Sequence, residues 1–263
     1  MMSEKTMQAA VLDSAGAAFR ITPVARPAPR PGQVLVRIAA SAVNPLDLKI
    51  RAGQAAHARQ PLPAILGIDL AGTVEAVGDG VTEFRSGDEV YGMTGGVGGL
   101  QGSLAQYAAV DADLLAPKPA NITMREATAL PLVFVTAWEG LVDRAGVHSG
   151  QKVLVHGGAG GVGHIAVQIA RAFGADVFAT GSAASQAYIK RLGAVAIDYR
   201  AMTIENYVAK YGEIMREATT LVEAGQVVPR VDPRHFALSS VGDADRAIEA
   251  NDADGKIVVD IGE

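Results

Sequence analysis

The stretch from Val153 to Ala172, VLVHGGAGGVGHIAVQIARA, constrains this chain more than any other. A β-branched run, Val153-Leu154-Val155, ends at glycines that spell G-x-G-x-x-G at Gly158, Gly160 and Gly163. A helical pattern follows at once, with Ile165, Val167, Ile169 and Ala170 on its apolar side. Strand, glycine turn and helix in that order give the motif its meaning. Gly158 is expected to make the tight turn, Gly160 to let the backbone approach a pyrophosphate, and Gly163 to let helix and strand pack closely. The helix then begins at Gly161 and Val162, where free N–H groups and the positive dipole end suit phosphates. The alternative is a glycine-rich βα turn without a ligand.

What surrounds this turn is α/β in pattern. Val177 to Thr180 reads as a second strand, Ala184 to Leu192 as a helix and Val195 to Ile197 as a third strand. That βαβαβ order implies right-handed crossovers, a parallel sheet and one mononucleotide-binding half of a Rossmann domain. Upstream, short strands separated by turn signals (Met7 to Leu12, Gln33 to Ala42, Leu70 to Val77, Asp88 to Tyr91, Leu104 to Val110) suggest a β-barrel or sandwich. The period changes near Thr123, where Thr123 and Glu126 form a capping-box pattern, and Pro131 interrupts the helix that follows. Downstream, helices are expected over 214–224 and 243–250, with strands at Val227 to Val231 and Lys256 to Ile261.

Composition narrows the function. The 263 residues allow one large or two ordinary domains, and 49% hydrophobic content allows a sizeable core. The net charge of −5 argues against a nucleic-acid surface. No run of 18 apolar residues is present, so no membrane span is expected. The start, MMSEKTMQAAVLD, lacks an apolar signal core. The absence of cysteine excludes disulfides and thiolate metal sites and fits a cytoplasmic location.

Five stretches together carry a resemblance: VLVRIAASAVNPLDLKIRAG (Val34 to Gly53), PAILGIDLAGTVEAVGDGVTEFRSGDEVYG (Pro63 to Gly92), ALPLVFVTAWEGL (Ala129 to Leu141), the glycine motif, and GKIVVDI (Gly255 to Ile261). The chain resembles zinc-independent medium-chain dehydrogenases/reductases, in the quinone oxidoreductase and enone reductase branch. The resemblance implies a GroES-like β-barrel substrate domain over 1–122 and a Rossmann nucleotide-binding domain, a doubly wound parallel sheet, over 123–212. A segment over 213–263 is implied to return to the barrel. Zinc-dependent relatives open the segment matching Val43-Asn44-Pro45 with a cysteine and carry Gly-His-Glu where this chain has Gly67-Ile68-Asp69. With no His pair at ligand spacing either, no metal is expected.

The second strand decides the expected cofactor. An NAD site needs an acidic residue at its end, about twenty residues past the glycines. Here the strand ends Ala179-Thr180-Gly181-Ser182, and Asp176 stands at the wrong end. The missing carboxylate and the Ser182 hydroxyl favour NADPH. The resemblance adds Tyr199 beside the adenine ribose phosphate, Lys256 at the pyrophosphate, and Thr136 and Asn44 near the nicotinamide. A basic residue that some relatives carry in the helix after Ser182 is not matched, because Ser185 stands there. The implied reaction is hydride transfer to a quinone or to the β-carbon of an α,β-unsaturated carbonyl. Lys49 is the candidate donor to the developing enolate, and Tyr91 is a second candidate. The other reading of Lys49 is a solvated strand lysine paired with Asp47. Two rivals to the enzyme stand beside it: an NADPH-binding protein with little activity, and a remnant that binds nothing.

The chain departs from the family after Tyr207 to Gly212. Strands four to six of the expected order 3-2-1-4-5-6 are missing between Gly212 and Glu213. Either the numbering runs straight across an omitted stretch, or the deletion is real. Omission is expected, because the deletion leaves strand one as an aggregation-prone edge. Bonded neighbours lie about 3.8 Å apart at Cα, which is the test of Gly212–Glu213. A homodimer is expected only if those strands exist.

Overall fold

Alternation of apolar and polar residues produces the first sheets. A computed structural model describes residues 5–200, 215–216, 218–250 and 252–261. The chain divides into two units, Met1–Tyr199 and Arg200–Glu263.

In the first unit β1 (Thr6–Leu12) turns Met7, Ala9 and Val11 inward and pairs antiparallel with β2 (Arg20–Ala25) and β4 (Ala64–Ile65). A second antiparallel sheet contains β3 (Gln33–Ala42), β5 (Asp69–Val77), β6 (Glu89–Met93), β7 (Tyr107–Asp111) and β8 (Leu115–Pro117), in the order β7-β3-β5-β6-β8. Its core is Val34, Val36, Leu70, Val74, Val90 and Val110. Register shifts bend β3 against β5 at Leu35/Val36 and Ile38/Ala40. There Gly72 lies so close that an added Cβ would stand 2.3 Å from the Arg37 carbonyl oxygen.

The expected closed barrel is not formed among the described residues. The two sheets meet through one isolated bridge, Ala9 to Ala105, and adjoining backbone bonds, such as the Ala10 N–H to the Leu104 carbonyl at 2.9 Å. Closure requires a ladder on both sides of every strand. Here β2, β4, β7 and β8 each have one ladder, and β8 is three residues long and ends at Pro117.

After this sheet α1 (Pro45–Arg51) is already in place between β3 and β5, and α2 (Met124–Ala127) and α3 (Pro131–Trp138) follow. The Thr123–Glu126 capping box forms as expected, with the Glu126 N–H on the Thr123 hydroxyl at 3.2 Å. Pro131 sits at the first position of α3, where its missing N–H costs nothing. A π-helical turn over Glu139–Arg144 continues α3. The nucleotide-binding pattern then appears as β9 (Lys152–Val155), α4 (Gly161–Ala172), β10 (Asp176–Gly181), α5 (Gln186–Arg191) and β11 (Val195–Asp198). The three strands are parallel, in the order β11-β10-β9. Among the described residues β9 pairs with β10 alone, and Leu154 is 52% exposed on it.

The second unit has β12 (Phe236–Ala237) beside β13 (Val259–Asp260) and the helix α6 (Val241–Glu249), which buries Ala244 and Ala247 on Phe236. Asp232 accepts from Arg234 at 2.8 and 2.9 Å and from the Asp254 N–H at 2.8 Å. The Arg234 guanidinium holds the Asp232 carboxyl far below the usual range. The expected strand at Val227 to Val231 is reduced to a single bridge from Val231 to Lys256, and the final strand is shorter than expected. The Gly212–Glu213 junction lies outside the described residues. No described helix is long and apolar enough to cross a membrane.

Candidate active site

The glycine turn follows β9, Ser182 follows β10 and Tyr199 follows β11. All three lie at the carboxyl edge of the parallel sheet, where open α/β sheets bind ligands. The turn is shaped by Gly157 rather than Gly158: Gly157 has φ +67°, in the left-handed region that glycine adopts without strain. Gly158 serves close packing instead, since a Cβ there would stand 2.5 Å from the Ala179 Cβ. A Cβ on Gly163 would meet the Gly157 carbonyl oxygen at 2.1 Å, so α4 begins hard against the turn. Gly160 and Gly161 are exposed, and Gly161 meets only Val133 at 3.6 Å. Thr180 fixes the turn from below: its hydroxyl accepts from the Gly157 N–H at 3.0 Å and its carbonyl from the Gly158 N–H at 2.8 Å.

The first N–H groups of α4, at Gly161, Val162 and Gly163, have no partner within the helix. This bare, glycine-walled helix start fits a pyrophosphate. Ser182 is half-buried, and its hydroxyl lies 3.3 Å from that of Ser185, which donates to the Ser182 carbonyl at 2.9 Å. The residue that follows β10 is Ser182 and not a carboxylate; Asp176 is at the far end of β10, and Asp198 lies beside Gly181 on the neighbouring strand. Tyr199 is exposed and its N–H bonds the Gly181 carbonyl at 3.3 Å. Lys256 is an exposed residue of the second unit, and its N–H bonds the Arg230 carbonyl.

A second cluster gathers around two carboxylates that sequence reasoning did not single out. Asn44 is buried before α1, and its Nδ2 donates to Asp69 Oδ2 at 2.8 Å. The other Asp69 oxygen accepts the Leu132 N–H at 2.9 Å, in the first turn of α3. Asp47 Oδ2 accepts from the Asn44 N–H at 2.8 Å, and Oδ1 from the Gly67 N–H at 3.1 Å. Ser103 donates to the Asp69 carbonyl at 2.8 Å. Burial pushes the Asp69 carboxyl up to about 6, against the bonds from Asn44 and Leu132, and the Asp47 charge adds to the rise. Burial also raises Asp47, opposed by its backbone bonds.

Lys49 is not a strand lysine paired with Asp47. It is an exposed residue of α1, and Asp47 is buried and committed to two backbone N–H groups. On a helix, residues two apart do not face each other. Thr136 is exposed one turn into α3, its hydroxyl donating to the Leu132 carbonyl at 2.7 Å. Tyr91 lies elsewhere: it lines an apolar groove of about 820 Å³ with Met93, Phe134, Trp138 and Ile169, and neither Asn44 nor Lys49 borders it. The Thr94 hydroxyl is the buried side-chain oxygen left without a partner among the described residues.

The donor set does not suit zinc. Ile68, where zinc-dependent relatives carry a histidine, is an apolar side chain only 2% exposed, and the adjacent Asp69 carboxylate is already engaged on both oxygens.

Comparison with known proteins agrees with this architecture. Residues 30–120 match the alcohol dehydrogenase GroES-like domain, and residues 144–259 match the zinc-binding dehydrogenase family. A 2-methylene-furan-3-one reductase of Solanum lycopersicum is 37% identical over 286 aligned positions, covering 90% of this chain and 74% of the relative. An NADPH-dependent alkenal/one oxidoreductase, chloroplastic, of Arabidopsis thaliana is 37% identical over 277 positions, covering 86% of this chain and 72% of the relative. Both alignments run longer than the chain's own 263 residues, so each relative carries residues with no counterpart here. Among solved structures, an alcohol dehydrogenase superfamily protein from Novosphingobium aromaticivorans is 46% identical with TM-score 0.73, covering 97% of this chain and 100% of its own. The quinone oxidoreductase from Coxiella burnetii is 26% identical with TM-score 0.69, covering 98% of this chain and 100% of its own.

Proposed function

Since the chain belongs to the medium-chain dehydrogenase/reductase family, in its zinc-independent quinone oxidoreductase and enone reductase branch, we propose that it reduces quinones or α,β-unsaturated carbonyls with NADPH. The observation that carries this reading is the glycine-walled start of α4 beside a second strand that ends in Ser182 without a carboxylate.

The N–H groups of Gly161, Val162 and Gly163 at the start of α4 hold the pyrophosphate, and Gly158 and Gly160 shape the turn that presents them. Ser182 and Tyr199 take the 2′-phosphate. Asn44 and Thr136 flank the nicotinamide. When bound, NADPH supplies the hydride. Negative charge then grows on the substrate carbonyl oxygen, and a preorganised donor there lowers the barrier. Lys49 Nζ is that donor, an exposed cation on the helix that Asn44 opens. Tyr91, in the apolar groove, is the second candidate. The lack of cysteine supports a reducing, cytoplasmic setting, and a homodimer goes with an intact six-stranded sheet.

One observation favours a second reading, NADPH binding with little turnover. Among the described residues the sheet that carries the glycine turn has three strands, β11-β10-β9, so the wall that strands four to six give the nicotinamide is not part of it. Oxidation of NADPH at 340 nm against a panel of quinones and enones separates the two. Turnover with some member supports the reductase. Saturable NADPH binding without turnover across the panel supports the second reading.

A further inference from the structure

Asp69 stands where two parts of the proposed site meet. It lies on the first residue of β5, almost fully buried, and each carboxylate oxygen accepts one donor. One donor is the Asn44 side-chain amide, and the other is the Leu132 N–H that opens α3, one turn before Thr136. We propose that Asp69 is the positioning residue of the reacting end of the site, holding Asn44 and the start of α3 in one fixed relation. The inference rests on the reading that Asn44 and Thr136 flank the nicotinamide.

Three features of the geometry carry it. An ionised carboxylate only accepts, so the Asn44 amide must turn its NH2 toward Asp69, and one amide flip is selected over the other. The backbone on either side is pinned as well. Asp47 takes the N–H of Asn44 itself and that of Gly67, two residues before Asp69, so the Asn44 segment cannot shift away from β5 without breaking further bonds. The α3 end has few alternatives: Pro131 has no N–H, so Leu132 offers the first donor of the helix, and Asp69 takes it. The Asn44 bond is buried and the Leu132 bond partly so, an environment in which charge-assisted bonds are strong and a lost partner leaves an unsatisfied group.

Replacing Asp69 with asparagine keeps the size but supplies one acceptor for two donors. Either one link breaks, or the Asn44 amide flips to accept from the new NH2, and each outcome changes what Asn44 presents to the site. Misplacement of about 1 Å at a reacting centre costs on the order of 100-fold in rate. The expected result for Asp69→Asn is therefore a fall in kcat of about 10- to 100-fold, with KM for NADPH within about threefold, because the phosphates are held by N–H groups of α4 that Asp69 does not bond. Asp69→Glu keeps both acceptor oxygens, in the residue type that zinc-dependent relatives carry at this place, and is expected to recover most of kcat. The emission of bound NADPH is recorded with each variant, since it reports the nicotinamide surroundings without turnover. A change of emission in Asp69→Asn that Asp69→Glu reverses supports the proposal even where Asp69→Asn is less stable. Unchanged kcat and emission in folded Asp69→Asn overturn the proposal alone. Failure of the unaltered protein to bind NADPH overturns it together with the functional reading on which it rests.

Discussion

At the scale of single residues, the site depends on where a Cβ can and cannot be. Gly163→Ala forces a methyl group to within 2.1 Å of a backbone oxygen, and Gly158→Ala to 2.5 Å of Ala179. Overpacking of this kind costs about 1–3 kcal/mol, so both variants are expected to melt several degrees lower and to lose NADPH binding. Gly161→Ala meets only Val133 at 3.6 Å and is expected to melt with the unaltered protein. Calorimetry with an NADPH titration checks all three. Ser182→Asp restores the carboxylate of an NAD site. It is expected to weaken NADPH at least tenfold, about 1.4 kcal/mol, and to leave NADH unharmed. An equal loss for both cofactors would contradict the role given to Ser182. The glycine spacing was legible in the sequence because it is a pattern. The exchange of roles between Gly157 and Gly158 was not, since adjacent glycines differ only in φ and neighbours, which spacing does not encode. Asp69 was passed over for a similar reason: its importance comes from burial and from Asn44 and Leu132, distant in sequence.

At the scale of elements, the βαβαβ order, the capping box and the break between helices ahead of Pro131 were all legible, because each has a local physical signature. The segment at Pro45–Arg51 was not. Read as extended, it pairs Lys49 with Asp47 on one face; as α1 it separates them and sends Asp47 into the interior. Buried carboxylates leave a thermodynamic trace. The folded-state pKa of Asp69 is raised from 3.8 to about 6, so between these values the folded state holds a proton that the unfolded chain has released. This contribution to stability is fully present below the unfolded value and is lost as pH rises through the folded one. Relative to Asp69→Asn, the unaltered protein is therefore expected to gain stability as pH falls from about 6.5 to about 4.5. A melting-temperature difference that stays constant with pH would refute this. Asp232 has the opposite sign: its folded pKa is depressed, so its contribution is present above the ordinary carboxylate range and is lost on acidification. Thr123→Ala removes a formed cap and is expected to cost about 1 kcal/mol in urea unfolding.

At the scale of the whole molecule, the family and the two-part architecture were legible because several separated stretches agree at once. Closure of the barrel was not, because it depends on ladders between distant strands rather than on any one of them. The alignments longer than the chain show that the relatives carry residues with no counterpart here, and among the described residues the nucleotide-binding sheet is β11-β10-β9. A parallel strand is ordinarily covered on both faces and paired on both sides. With Leu154 half-exposed on β9, light scattering is expected to rise with protein concentration, and Leu154→Lys is expected to reduce it. Function turns on whether this glycine turn and Ser182 deliver NADPH for reduction. The most direct test is initial-rate oxidation of NADPH and NADH against one panel of quinones and enones. Turnover is expected with at least one acceptor, with kcat/KM for NADPH at least about tenfold above that for NADH. Equal use of NADH, or no oxidation by protein that holds NADPH, would contradict this.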